Sequence, residues 1–324
     1  MITFENALEI INEKIKEIPY PKEPKNLYAP IQYILALKGK KIRPALTLLA
    51  CNLFQDDISK AIYPALAWEI FHNFTLMHDD VMDKAAIRRG KPTVHKVWNE
   101  NTAMLSGDAM LILAYRTMTK SEPHCLKQLL DLFSATAAEI CDGQQYDMEF
   151  ETRMDVTEAE YLQMIRLKTA VMLGACLKTG GIVAGADIET LEQLYDFGIN
   201  LGLAFQIRDD LLDVYGDPHA FGKITGGDIL CNKKTFFLVN VLEFCDENDK
   251  KNLLFRLSEP NFDPNEKIIS VTAMYEKYGL KALAEDKITK LYDKAMRAFE
   301  LIHVPTERKT VLYNFAEQLI ARES

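Results

Sequence analysis

The sequence Asp-Asp-x-x-Asp occurs twice, as Asp79, Asp80 and Asp83 and again as Asp209, Asp210 and Asp213. Three carboxylates within five residues repel one another, so each cluster calls for a cation. On a helix, residues i and i+4 lie on one face, one turn apart. Each motif therefore offers two carboxylates to one side, with a third beside them. A lone acidic cluster is ordinarily a solvated helix face. Here the apolar run Phe71 to His78 precedes the first motif and Leu201 to Ile207 precedes the second. Both clusters thus end buried helices, where acids point into a cavity more readily than from a wet helix middle. Oxygen-only ligands suit Mg²⁺, which keeps several waters and completes its shell with phosphates. Two such sites facing each other clamp a diphosphate.

Helical spacing runs through nearly the whole chain, as in the stripe Phe4, Leu8, Ile11, Ile15 and Ile18. The periodicity predicts helices over 3–18, 27–38, 43–54, 58–83, 101–119, 122–148, 157–179, 187–214, 232–246, 247–257, 266–280, 281–303 and 306–322. Breaks are expected at Pro21 and Pro24, Gly39, Gly90 to Pro92, Gly180-Gly181, Gly216 to Pro218 and Pro260 to Pro264. Thr157 with Glu160 has the spacing of a capping box. Strand alternation is absent. The expected fold is all-α, one large helical bundle around a central cavity. The motifs lie 130 residues apart, so binding one ligand requires them to converge, which favours a single domain over 1–324.

Net charge is −9, which argues against nucleic acid as the main partner. No run of about 18 uncharged apolar residues occurs, so no membrane span is expected. The N-terminus lacks a basic segment followed by an apolar core. The six cysteines show no C-x-x-C spacing and read as reduced, buried thiols of a cytoplasmic protein.

Bound diphosphate calls for Arg and Lys. Lys40, Lys41 and Arg43 surround Gly39, Arg88-Arg89-Gly90 follows the first motif, Lys223 and Lys233 follow the second, and Lys168-Thr169 interrupts an apolar helix. Together these motifs resemble those of the trans-isoprenyl diphosphate synthases, the polyprenyl synthetase family. His78 to Thr93 resembles the family's first aspartate-rich motif and Phe205 to Asp213 its second. Gly39-Lys40 with Arg43-Pro44 resembles the isopentenyl-binding segment, and Gly143-Gln144-x-x-Asp147 and Lys168-Thr169 also match. The matched motifs run from about residue 39 to 235. Lys38, Lys41 and Ala170 depart from the usual residues without removing a charge.

The resemblance implies a short-chain prenyltransferase joining isopentenyl diphosphate to an allylic diphosphate. The allylic bond ionises, the double bond attacks the cation, and a proton leaves to the departing diphosphate. It implies Mg²⁺, about three ions per site, with Asp79, Asp83 and Asp209 as direct ligands. Asp80, Asp210 and Asp213 are direct or second partners. Arg88, Lys168, Lys223 and Lys233 hold the allylic diphosphate, with Thr169 and Gln206 near its leaving end. Lys40, Arg43, His72 and Arg89 hold isopentenyl diphosphate without metal. Family members are commonly homodimers. Phe74 lies five residues before Asp79, about 7.5 Å down the helix, and is expected to floor the tunnel. The expected product is geranylgeranyl diphosphate, with farnesyl diphosphate close behind. A class I terpene cyclase or a non-catalytic synthase subunit are the other readings. Lys40, Arg43 and Arg89 argue against the first, and retention of both acidic motifs against the second.

Overall fold

The computed structural model describes residues 1–216, 226–259 and 262–321. The helices are α1 (Phe4–Lys16), α2 (Lys25–Ala36), α3 (Ile42–Asn52), α4 (Ile62–Met82), α5 (Val94–Val97), α6 (Glu100–Met118), α7 (Pro123–Phe150), α8 (Glu158–Ile165), α9 (Val171–Val183) and α10 (Ile188–Tyr215). They continue as α11 (Gly227–Leu230), α12 (Phe236–Phe244), α13 (Glu247–Ser258), α14 (Pro264–Lys277), α15 (Leu280–Glu300) and α16 (Thr306–Ile320). Among the described residues the only strands are Ile87–Arg88 and Lys91–Pro92, an antiparallel pair. The breaks expected at Pro218 and Pro260, and the residue Lys223, lie outside the described residues.

By its contacts the chain divides into two compact units. The first comprises Met1–Ser134, Ala175–Leu194 and His303–Leu312. It is built on α4, whose Trp68, Ile70 and Phe71 are almost wholly buried. The Trp68 ring sits 4.7 Å from Phe133 and its indole N–H donates to Thr179 Oγ1 at 2.9 Å. That bond satisfies the one polar atom an indole brings into a core. The second unit comprises Ala135–Gly174, Tyr195–Ile302 and the described residues from Tyr313 onward. Its core gathers Phe150, Tyr161, Phe236, Phe237 and Tyr275. The capping box at α8 forms as expected: Glu160 N donates to Thr157 Oγ1 at 3.3 Å, and Thr157 N to Glu160 Oε2 at 2.9 Å.

The structure corrects four expectations. A strand pair exists where none was expected, because Arg89 (φ 51°) and Gly90 (φ 73°) form a tight turn with both central residues left-handed, the geometry of a two-residue hairpin. The helix expected over 232–246 is shorter, since Thr235 caps its start by accepting from Leu238 N, and α11 precedes it. Half of the cysteines are buried, but Cys141 and Cys231 are exposed and Cys245 is intermediate. Finally, Gly180-Gly181 does not break α9. A Cβ on Gly180 would stand 2.3 Å from the Thr47 carbonyl oxygen and 2.7 Å from Ala50 Cβ. These glycines let α9 approach its neighbours rather than turn away. Gly180→Ala is expected to lower stability by about 1–3 kcal/mol through overpacking, read as a lower urea midpoint at unchanged slope.

Candidate active site

In the first unit, α4 carries the first acidic motif to its C-terminal end, with Asp83 as the C-cap. The three carboxylates separate. Asp79 is half-buried and Asp83 exposed, while Asp80 is only 2% exposed. Asp80 Oδ1 accepts from Arg88 Nε and Nη2, each at 2.7 Å. Burial pushes the Asp80 carboxyl above its ordinary range, and the Arg88 guanidinium opposes the shift. The hairpin turn aims consecutive arginines apart: Arg88 reaches Asp80, and Arg89 Nη1 donates to Asn73 Oδ1 at 3.4 Å.

A second cationic cluster lies nearby in the same unit. A Cβ on Gly39 would fall 2.7 Å from Arg89 Cζ, so the guanidinium lies across the bare glycine. Lys41 holds a left-handed φ of 42° just before α3, and Lys40 beside it is exposed. Arg43 Nη1 lies 3.2 Å from His72 Nε2. Burial first, then the charges of Arg43, Arg89 and Arg88, push the His72 pKa well below its ordinary value. The ring is therefore neutral, and its Nε2 accepts from Arg43. Under this cluster sits Glu69, 1% exposed, whose Oε1 accepts from Asn73 Nδ2 at 2.9 Å. Burial raises the Glu69 carboxyl, opposed by Asn73, Lys41, Arg89 and Arg43. Glu69 and Asn73 were missed by sequence reasoning. Their signal was two polar residues spaced i, i+4 within an apolar run.

Phe74 is half-buried. Its ring centroid is 5.5 Å from Phe71 and 4.7 Å from the His78 ring. Phe71 in turn meets Phe133 at 5.1 Å. The residue expected to floor a tunnel thus sits in a row of tilted and edge-on rings, with His78 on one side and Phe71 on the other.

In the second unit, α8 passes into α9 through a π turn over Arg166–Ala170, a wider turn that often marks functional sites. It carries Lys168 and Thr169. A Cβ on Gly143 would stand 2.3 Å from Lys168 N, so this glycine lets α7 and the π turn touch through their backbones. Lys168 Nζ reaches Asp147 Oδ2 at 2.5 Å, and Thr169 Oγ1 donates to Gln206 Oε1 at 3.4 Å. Gln206 Nε2 then donates to Asp210 Oδ1 at 3.3 Å.

Asp210 is 3% exposed. Its Oδ2 accepts from Tyr161 OH at 2.6 Å and from Phe236 N at 2.9 Å. Burial and the Asp228 charge push its pKa to about 7, against Lys233, Tyr161 and the Phe236 N–H. Asp209 and Asp213 are half-buried. Asp213 Oδ2 accepts from Asp228 N at 3.1 Å, and Asp228 lies 3.8 Å from Lys233 Nζ. A cavity of about 50 Å³ is lined by Lys168, Thr169, Gln206, Asp210 and Lys233 among others. Tyr161 and Asp228 had no sequence signal of their own.

The donor chemistry fits a hard divalent cation. Among the described residues no group of three or more His, Cys, Asp or Glu forms a closed metal cage. Mg²⁺ needs none, since it binds through one or two carboxylates and keeps waters or phosphate oxygens. Asp80 and Asp210 are the most buried members of their motifs, and the more accessible Asp79, Asp83, Asp209 and Asp213 are the candidate ligands.

An all-α fold with one short strand pair among the described residues and two acidic motifs, each beside cationic side chains, has the make-up of an isoprenoid synthase. The polyprenyl synthetase family model matches residues 24–277, and the chain belongs to that family. It is 34% identical to a geranylgeranyl diphosphate synthase of Methanosarcina mazei over 98% of this chain and 96% of the relative. It is 38% identical to a short chain isoprenyl diphosphate synthase of Methanothermobacter thermautotrophicus, over 84% and 83%. A crystal structure of a geranylgeranyl pyrophosphate synthase matches with a TM-score of 0.94 at 43% identity, covering 100% of both chains.

The depressed His72 pKa makes a signed prediction. Above about pH 6.5 the ring is neutral in both folded and unfolded chains. Below that, only the unfolded chain takes up the proton, so stability falls with pH by up to about 1.4 kcal/mol per unit. His72→Gln should remove this component between pH 6.5 and 5, seen as a flatter difference curve in urea unfolding.

Proposed function

We propose that residues 1–324 act as one synthase domain that condenses isopentenyl diphosphate with an allylic diphosphate to give geranylgeranyl diphosphate. Farnesyl diphosphate is the shorter alternative product. The chain is a short-chain trans-prenyltransferase by family and relatives. The observation that carries the two-substrate reading is the cluster of Lys41, Arg43, His72 and Arg89. It is a cationic group with its own buried carboxylate, Glu69, built from different side chains than the acidic motifs. A cyclase, which takes one diphosphate, has no use for it.

In this reading Lys40, Arg43, His72 and Arg89 hold isopentenyl diphosphate, with His72 neutral and kept in register by Arg43. Arg88, Lys168, Lys223 and Lys233 hold the allylic diphosphate and stabilise charge as its carbon–oxygen bond breaks. Asp79, Asp83, Asp209 and Asp213 hold Mg²⁺. Asp80 and Asp210 anchor their motifs through Arg88 and through Tyr161, Gln206 and Phe236 N. Mg²⁺, when bound, neutralises negative charge on the leaving diphosphate. Thr169 and Gln206 orient the leaving end, and the apolar wall of α4 keeps water from the carbocation. The departing diphosphate takes the proton, so no protein base is named.

A homodimer belongs to the same proposal. Leu105 and Ile112, each 61% exposed on α6, are seven residues apart and share a face. Among the described residues no helix is long and apolar enough to cross a membrane. All six cysteines are free, which suits a reducing cytoplasm.

Incubation with Mg²⁺, isopentenyl diphosphate and each allylic starter tests the assignment. Chain-extended product that requires both substrates is expected. Turnover of the allylic substrate alone would replace the assignment with a cyclase, and no turnover with any starter would replace it with a partner subunit.

The row of rings sharpens the expectation for chain length. Phe74→Ala removes the ring between His78 and Phe71 and leaves Phe71 and Phe133 behind it, so the product should lengthen by about one isoprene unit. Unchanged product chain length by chromatography would remove Phe74 from the role of floor.

A further inference from the structure

Lys267, in the first turn of α14, is 2% exposed, an unusual place for an ammonium group. A buried ammonium is costly unless hydrogen-bonded. Its Nζ donates to the Leu230 carbonyl at 3.3 Å and sits 4.1 Å from the Phe262 ring centroid. Desolvation lowers its pKa. No acidic side chain forms an ion pair with it among the described residues, so Lys267 is not explained as half of a salt bridge.

The acceptor explains its placement. Leu230 ends α11, a helix of four residues, too short to hold itself together. The Gly227, Asp228 and Ile229 carbonyls accept from the N–H groups of Cys231, Lys233 and Asn232, and the last carbonyl, that of Leu230, takes the Lys267 ammonium, a cation placed to complement the helix dipole. The same α14 supplies Ile268, whose Cγ1 would lie 2.8 Å from a Cβ on Gly226 at the start of α11. Asn232 Nδ2 is tied to the Leu257 carbonyl at 2.9 Å. Lys234, also buried, donates to the Glu151 carbonyl at 3.2 Å.

This fastened segment works on the site through its backbone. Gly226 N donates to the Asp213 carbonyl at 2.6 Å, and Asp228 N to Asp213 Oδ2 at 3.1 Å. Lys233 N donates to the Asp228 carbonyl at 3.0 Å. One end of α11 therefore orients Asp213, and the turn after it presents Lys233.

We infer that Lys267 is a positioning residue for the second acidic motif: it fixes α11 from outside the site and so holds Asp213 and Lys233 in place. It touches neither substrate nor metal. The inference rests on the proposed roles of Asp213 and Lys233, and its test has one readout that needs no turnover.

In ligand-free protein, Lys267→Met should speed hydrogen exchange of the amides from Asp228 to Lys233 by about tenfold, with exchange in α4 unchanged. Kinetically, KM for the allylic diphosphate and half-saturation by Mg²⁺ should each rise about tenfold, the usual cost of losing an outer partner. KM for isopentenyl diphosphate should stay within about twofold. Lys267→Arg, which keeps a donor, should recover most of both effects. Phe262→Leu leaves the ammonium and its carbonyl intact, and should shift exchange in the same direction by less. It serves as the test if Lys267→Met fails to fold. Exchange at 228–233 no faster than wild type in the variant that folds would overturn the inference. So would a parallel rise in both substrate KM values that Lys267→Arg does not relieve. Faster exchange without any prenyl transfer in wild type would instead leave the structural role standing and sink the proposed reaction.

Discussion

Electrostatic repulsion within each acidic motif is answered by the way the fold divides its carboxylates. Three carboxylates on two helical turns are mutually repulsive, and the fold resolves this the same way twice. The middle aspartate turns inward to fixed donors: Asp80 to Arg88, and Asp210 to Tyr161, Phe236 N and Gln206. The outer aspartates are less buried: Asp83 is exposed, and Asp79, Asp209 and Asp213 are half-buried. A buried carboxylate costs stability unless its oxygens are satisfied, so each anchor carries its own donors with it. Arg88 comes from a hairpin that exists because Arg89 and Gly90 take left-handed backbone. The donors of Asp210 come from α8, α10 and the start of α12. The orientation of the proposed metal-holding groups follows from these anchors rather than from propensity.

The cationic side chains are held by close backbone approach. Gly143 lets α7 meet the π turn bearing Lys168 and Thr169, and Gly39 lets Arg89 lie across the chain just before α3. A side chain at Gly143 would displace the backbone of the π turn, and one at Gly39 would displace the Arg89 guanidinium. The buried Glu69 makes a comparable contribution from below. Burial raises its carboxyl, and the nearby Lys41, Arg89 and Arg43 oppose that rise.

Much of this was legible in the chain. The 3.6-residue apolar period marks α4 and α10, and the charge pattern marks Asp79 to Asp83, Asp209 to Asp213, Arg88, Arg89, Lys168 and Lys233. The capping box of Thr157 and Glu160 formed as its spacing requires. Other features were hidden for identifiable reasons. Gly180 and Gly181 have the composition of a break, yet they serve a tight helix contact, which only the identity of the neighbour reveals. The two-residue hairpin is too short to show alternation. Tyr161 and Phe236 lie 49 and 26 residues from Asp210, so no local pattern links them.

Local pattern alone shows that the chain is helical, that carboxylates gather at the ends of two apolar helices, and that cations accompany them. These are properties of periodicity and charge, which are local and additive. Packing settles which carboxylate of each triad is most buried, that the His72 ring is desolvated beside Arg43, and that the Lys267 ammonium meets the Leu230 carbonyl. Each of those depends on desolvation and on a partner far away in the chain. Burial and long-range hydrogen bonding are set by packing, and packing is not written in any window of neighbouring residues.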